Sequence, residues 1–259
     1  THIGVAFDPA GPTFRHEAFE QYKAQREETP EAIRLSVPII KEIIRAYRIP
    51  ILEVAGYEAD DVIGTLATEA GRQGIITYMM TPDKDYGQLV SDKVFMYRPK
   101  HTGGFEVMGV DEVKAKFDIQ SPAQVIDMLG LMGDSSDNIP GCPGVGEKTA
   151  QKLIAEFGSI ENLLEHTDQL KGALKTKVET NREMITFSKF LATIKIDVPI
   201  QLDMDSLVRE QADEDSLRQI FEELEFRTLI DRVLKKENAG NGITTPTGNK
   251  TAAEKSNLA

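Results

Sequence analysis

An α/β fold, with a mostly parallel sheet and flanking helices followed by an all-α region, is what this sequence predicts. Two observations carry that expectation. Short apolar runs that read as strands alternate with segments of helical period up to about residue 110, the pattern of strand–helix–strand units. Beyond that point the strand-like runs stop and only helical spacing remains.

The elements follow in order. Residues 2–7 form the first apolar run, which ends at Asp8. Thr29 and Pro30 supply an N-cap and a first-turn proline for a helix whose Ile33, Val37, Ile40 and Ile44 recur at helical spacing. Pro38 is expected to bend or divide it. A second strand at 51–54 precedes a helix from 58 to about 72, stopped by Gly74. Strands at 75–81, 94–97 and 105–107 complete one sheet with helices on both faces. Helices are expected at 110–117, 122–132, 147–157, 159–164, 171–194 and 215–224. The polar, Gly/Thr/Asn-rich stretch 237–259 reads as a flexible tail or linker. The organisation is therefore a core at 1–116, a helical subdomain at 117–236, and the tail.

Composition narrows the class. A chain of 259 residues, 40% hydrophobic and 28% charged, can build two globular domains. The single cysteine, Cys142, excludes an internal disulfide and suits a reducing cytoplasm, and four scattered histidines argue against a zinc site. No run approaches the roughly 20 apolar residues of a membrane helix, and no signal-peptide pattern opens the chain. A first residue of threonine suggests a fragment or a processed chain. The net charge of −12 taken alone argues against a nucleic-acid partner. That argument fails if many of the acids hold metal.

Eight carboxylates point that way. In an open parallel sheet, ligands bind beyond the carboxyl ends of the strands. Asp8 follows the first strand, Glu58, Asp60 and Asp61 open the helix after the second, and Asp83 and Asp85 follow the third. Asp134 and Asp137, in "GDSSDN", lie just past a helix. Any one of these has an ordinary explanation in a turn or a helix's first residues, where an acid gains about 0.3–1 kcal/mol. As a set they do not. Two like charges about 4 Å apart repel by about 4 kcal/mol at an effective dielectric near 20, so a converging group persists only with cations. Oxygen-only ligands select hard ions, Mg²⁺ or Mn²⁺, and eight acids suffice for two.

"PGCPGVGEKTAQKLI" adds a second signal. Gly144, Val145 and Gly146 form a tight turn, and Lys148, Thr149 and Lys152 open the helix after it. A glycine turn at a helix N-terminus presents backbone N–H groups to a phosphate with no Cβ in the way. A lone GxG would mean little. The apolar helix, the turn and the second helix together read as a helix-hairpin-helix, which grips phosphates without reading bases.

At this point "FDPAGPTFRHEAFEQYKAQR", "GYEADDVIGTLA", "TPDKDYGQLV" and "LMGDSSDNIPGCPGVGEKTAQKLI" resemble, in order, the flap-endonuclease and 5′–3′ exonuclease family, in the form of the 5′-nuclease domain of bacterial DNA polymerase I. The resemblance runs from residue 1 to about 236. It implies a PIN-like nuclease core and removal of 5′ flaps or RNA primers from branched or nicked duplex DNA with two Mg²⁺ ions. It makes Asp8, Glu58, Asp60, Asp61, Asp83, Asp85, Asp134 and Asp137 metal-binding acids. Residues 12–40 become a helical arch, with Lys23 and Arg26 near the scissile phosphate and Arg15 among the DNA contacts. The hairpin at 143–149 becomes the grip on the duplex, assisted by K⁺, and the tail a tether from a monomeric cytoplasmic domain to polymerase domains. A stand-alone 5′-nuclease and a catalytically silent DNA-binding module are the alternatives. The resemblance also implies that the chain opens on the family's second strand. An exposed apolar face, aggregation and weak cleavage are the corresponding expectations.

Overall fold

The computed structural model describes residues 1–100 and 102–234, so the tail expected at 237–259 lies outside the described residues. Two compact units are present. One comprises Thr1–Arg45 and Ile49–Arg209, the other Ala46–Arg48 with the chain from Glu210. The boundary expected at 116/117 falls inside the first unit.

That unit begins with β1 (Val5–Ala6), α1 (Phe14–Ala18), α2 (Glu31–Ala46), β2 (Ile51–Leu52), α3 (Ala59–Arg72) and β3 (Thr77–Met80). A 3₁₀ stretch at Lys84–Leu89 leads to β4 (Val94–Pro99) and β5 (Phe105–Met108). Helices follow: α4 (Val110–Phe117), α5 (Val125–Met132), α6 (Glu147–Phe157), α7 (Ile160–Glu165), α8 (Gly172–Thr180) and α9 (Arg182–Ala192). The single helical stretch expected over 171–194 is two helices divided at Asn181. Pro38 does not divide α2, which runs unbroken through it. The second unit holds α10 (Glu214–Glu223) and α11 (Arg227–Val233), the latter not anticipated from periodicity.

One continuous sheet was the expectation, and the strands form two. β1 pairs in parallel with β2, Val5 opposite Ile51. β3 pairs in parallel with β4, and β4 antiparallel with β5. No ladder joins the pairs among the described residues. α3 ties them together instead. Val62 and Leu66 pack against Ala6, Leu52 and Val54 beside the first sheet. Gly71, on the same helix, has its Cα so near β4 that a Cβ would lie 2.8 Å from a Val94 methyl.

Among the described residues, helices cover only one face of the second sheet. Met79, Val94, Met96 and Met108 point inward into the main core. On the other face Ile76 (60% exposed), Tyr78 (56%) and Met80 (70%) stand in water with Phe105 and Val107. Tyr78 stacks on Phe95, and Tyr97 on Phe105. An apolar face of this extent promotes association. Replacing Tyr78 and Met80 together with lysine should reduce concentration-dependent self-association in sedimentation velocity while leaving Tm unchanged. A fall in Tm would mean that the face is packed.

The core is centred on α5. Its sequence, VIDMLGLM, is apolar almost all round, as befits a helix enclosed on every side, and Val125, Met128, Leu129 and Leu131 are fully buried. It packs chiefly against α9. Asp127, the one acid in it, is buried yet satisfied, accepting from Ile160 N at 3.0 Å and from Lys189 Nζ at 2.6 Å.

Candidate active site

The acids take their places from the ends of the strands and from α5. Asp8, two residues past β1, accepts the Ala59 N–H at 2.7 Å and so caps the first turn of α3. Glu58, Asp60 and Asp61 stand at that helix start, with one oxygen of each within 4.8 Å of the others. After β3, Asp83 accepts the Asp85 N–H at 2.9 Å, which starts the 3₁₀ stretch and turns Asp85 inward. α5 ends at Gly133, φ +73°, where a Cβ would sit 2.5 Å from the Ile139 carbonyl oxygen. Only glycine allows that reversal, and it lets Asp134 pair with Ile139 so that Asp137 rides on a closed loop.

Two groups result. Asp8, Glu58, Asp60 and Asp61 surround the start of α3, and Tyr22 links them to Asp137 by sharing its one O–H between Glu58 at 2.9 Å and Asp137 at 3.2 Å. Asp85 and Asp134 flank Lys84, whose ammonium lies 3.3 Å from Asp85 Oδ1 and bonds Asp134 more closely. Asp134 also accepts from the Ser136 N–H and hydroxyl. Against its burial, the Lys84 and Ser136 bonds hold this carboxyl below its usual range. Tyr86 reports the convergence. Its phenol is pushed far up by burial and further by the charges of Asp60, Asp83, Asp8 and Asp61.

Not every acid is satisfied by the protein. Asp60 Oδ1 and Asp85 Oδ1 are both sealed from solvent; among the described residues Asp60 Oδ1 accepts no hydrogen bond, and Asp85 Oδ1 has only the Lys84 ammonium, at 3.3 Å. Burial, only partly offset by Arg15 and reinforced by Asp61 and Glu58, raises the Asp60 carboxyl to about 7. Burial likewise raises Asp85 to about 6, against the pull of Lys84 and with the push of Asp83 and Asp134. A buried carboxylate oxygen without a donor, set among further carboxylates, fits a hard divalent cation.

The basic residues depart from their expected roles in one case. Arg15, expected to touch DNA, is 1% exposed and fully engaged. Its Nε donates to the Leu191 carbonyl, Nη1 to Glu58 and Asp61, and Nη2 to Asp61 and the Thr193 carbonyl, all between 2.8 and 3.0 Å. No donor is left for a phosphate. Burial opposes its charge, and the Asp61 pairing more than compensates, so its pKa is raised. Asp61 is equally committed, since it also accepts the Glu58 and Lys195 N–H groups. Lys23 and Arg26 do reach the acids. Lys23 Nζ lies 2.6 Å from Glu58, and Arg26 Nη2 lies 2.5 Å from Asp137. Sequence reasoning passed over Tyr22 and Lys84, although each is adjacent to a residue that it did select.

At the hairpin, Val145 is buried in the core and anchors the turn rather than facing a ligand. Gly144, Gly146, Lys148 and Lys152 are exposed. The Thr149 and Ala150 N–H groups are taken by the Gly146 carbonyl, while those of Glu147 and Lys148 have no acceptor among the described residues. Gly146 has extended backbone, and a Cβ on it would meet nothing within 4 Å. Protein packing among the described residues therefore gives no reason for glycine there, and the open space would admit the close approach of a phosphate. Gly146→Val should leave Tm unchanged and lower duplex affinity by about tenfold, alike for unrelated sequences. A sequence-selective loss in fluorescence anisotropy would instead indicate base readout.

Carboxylates suited to divalent cations, interleaved with lysine and arginine on an α/β core, define a nuclease. Residues 1–118 match the family model of the 5′–3′ exonuclease N-terminal resolvase-like domain, and residues 120–215 that of the 5′–3′ exonuclease C-terminal SAM fold. The chain belongs to the 5′–3′ exonuclease family, as the 5′-nuclease domain type found in DNA polymerase I. It is 42% identical over 235 residues to DNA polymerase I of Bacillus caldotenax and 44% identical over 235 residues to that of Bacillus subtilis. Each alignment covers 90% of this chain and 27% of the relative, so the chain spans about a quarter of their length. Its fold is shared with bacteriophage T5 5′-exonuclease bearing zinc ions, at 23% identity and TM-score 0.59, covering 86% of this chain and 82% of that one. It is shared also with the catalytic core of Rad2 in complex with DNA substrate, at 16% identity and TM-score 0.60, covering 89% and 77%. No helix among the described residues is long and apolar enough to cross a membrane.

Proposed function

We propose that this chain hydrolyses phosphodiester bonds at 5′ flaps and RNA primers on branched or nicked duplex DNA, using two Mg²⁺ ions for which Mn²⁺ substitutes. The observation that carries this reading is the buried Asp60 Oδ1, which has no donor among the described residues and lies among the other carboxylates. Asp8, Glu58, Asp60, Asp83, Asp85, Asp134 and Asp137 are the residues that would hold the ions, with Asp61, whose oxygens are taken by Arg15 and two backbone N–H groups, behind them. Bound divalent cations supply Lewis-acid polarisation of the phosphodiester and neutralise charge at the reacting centre. The remaining work falls to the chain's own groups. Lys23 and Arg26, already within reach of Glu58 and Asp137, set positive charge where phosphate oxygens gain negative charge. Tyr22, kept protonated by burial and by Glu58 and Asp137, holds those two carboxylates in register. Arg15 holds Asp61 and Glu58. The hairpin, with K⁺ assisting, grips the duplex beside the site without reading its sequence. In this reading the chain is a monomeric cytoplasmic segment tethered to polymerase domains.

A duplex with a labelled 5′ flap tests the reading. Release of the label should rise with added Mg²⁺ or Mn²⁺ and stop on adding EDTA. Cleavage that persists in EDTA would overturn the metal assignment.

A further inference from the structure

The hairpin has a cation that its own sequence does not show. Lys177, on α8, brings its ammonium to 3.5 Å from the Gly144 carbonyl oxygen. It lies 2.5 Å from where a Cβ on Gly144 would be. Gly144 has φ +75°, so glycine suits that position twice, by its backbone and by leaving room for the lysine head. The backbone of Lys177 is held at the same place, its carbonyl facing the buried Cys142 thiol at 3.9 Å.

Charge is distributed unevenly around this turn. The chain has 42 acids against 30 lysines and arginines. Even so, among the described residues no carboxylate comes within 4.0 Å of Lys177, Lys148 or Lys152. Lys175, two residues away on the same helix, is 3.9 Å from Glu179. Among the described residues, three exposed lysines without an ion pair thus border a turn whose Glu147 and Lys148 N–H groups have no acceptor, and Glu147, also exposed, is the acid at that turn. Three cations and two N–H donors against one carboxylate, with none of the cations ion-paired, match the phosphates of a nucleic-acid backbone.

We propose that Lys177 is a phosphate-binding residue of the hairpin, seated by Gly144 so that α8 and the start of α6 hold the same duplex backbone. This rests on the reading of the hairpin as a DNA grip. The contact is electrostatic and independent of sequence, and one lost phosphate contact lowers the slope of log affinity against log salt by about one.

The test measures binding of the full chain to a fluorescent flapped duplex by anisotropy in Ca²⁺, over a range of KCl concentrations. Lys177→Met should weaken binding about threefold to tenfold at moderate salt, reduce the salt slope by about one, and act equally on unrelated sequences. Lys177→Arg should restore both affinity and slope. Lys148→Ala is measured alongside as the probe of the hairpin itself. If Lys148→Ala weakens binding and Lys177→Met does not, the inference is wrong and the hairpin reading stands. If neither changes binding, the hairpin reading fails, and the inference with it. A loss with Lys177→Met that leaves the salt slope unchanged would make Lys177 a prop for the turn and would also overturn the proposal.

Discussion

Asp60→Asn should abolish most cleavage while leaving the fold intact or slightly firmer. The two effects separate because of what surrounds the side chain. In the folded protein Asp60 Oδ1 is buried without a donor, and Glu58 and Asp61 are like charges beside it. An ionised carboxylate in that place opposes folding, and a neutral amide of the same shape removes that burden. Function needs the charge that stability does not. A cation held by Glu58 and Asp60 would lose a negative ligand, and Lewis-acid stabilisation worth several kcal/mol would be compromised. That corresponds to a rate loss of about 10²–10³-fold. Duplex affinity should change little if, as proposed, the hairpin grips the duplex. The checks are single-turnover cleavage of a flapped duplex, anisotropy for binding, and thermal unfolding. A clear drop in Tm would mean that Asp60 is held by a partner in the protein, and cleavage at the normal rate would remove it from the metal site.

Arg15→Met should have the largest effect on stability of any single change at the site. Arginine and Asp61 are both under 3% exposed, and the guanidinium makes bonds to two carboxylates and two backbone carbonyls. Removing one partner of a buried pair leaves the other charge uncompensated and costs about 3–5 kcal/mol. In a unit of this size that lowers Tm by roughly 10 °C. Three segments also lose their common anchor: α1, the start of α3, and the chain after α9. Arg15→Lys should recover little, because an ammonium cannot reproduce the fork that meets both Asp61 oxygens. The informative variant is Arg15→Met combined with Asp61→Leu. Taking away both charges should restore much of the Tm, while cleavage stays low because Glu58 is no longer held. Recovery of cleavage along with Tm would mean that the ion pair serves the fold alone.

The sequence by itself determined the local order of elements, since apolar period and caps depend only on neighbours along the chain. Helices α3, α4, α6 and α10 lie where that spacing puts them, within a residue or two at their ends. It also determined the family, because four motifs of mixed acids, glycines and lysines recur in order, and it named the acids. Only the tertiary structure decided what those residues face. Arg15 sits among charged neighbours in FRHEA and reads as a surface cation, and its burial follows from Glu58, Asp61, Leu191 and Thr193 arriving from distant segments. Lys177 gives no local hint of the hairpin, because the approach of α8 to Gly144 is made by packing across 33 residues. Alternation along β3 separates Tyr78 and Met80 from Met79 without saying which side is covered. Covering depends on where helices close over a sheet, and that is settled by long-range packing rather than by any residue's neighbours in the chain.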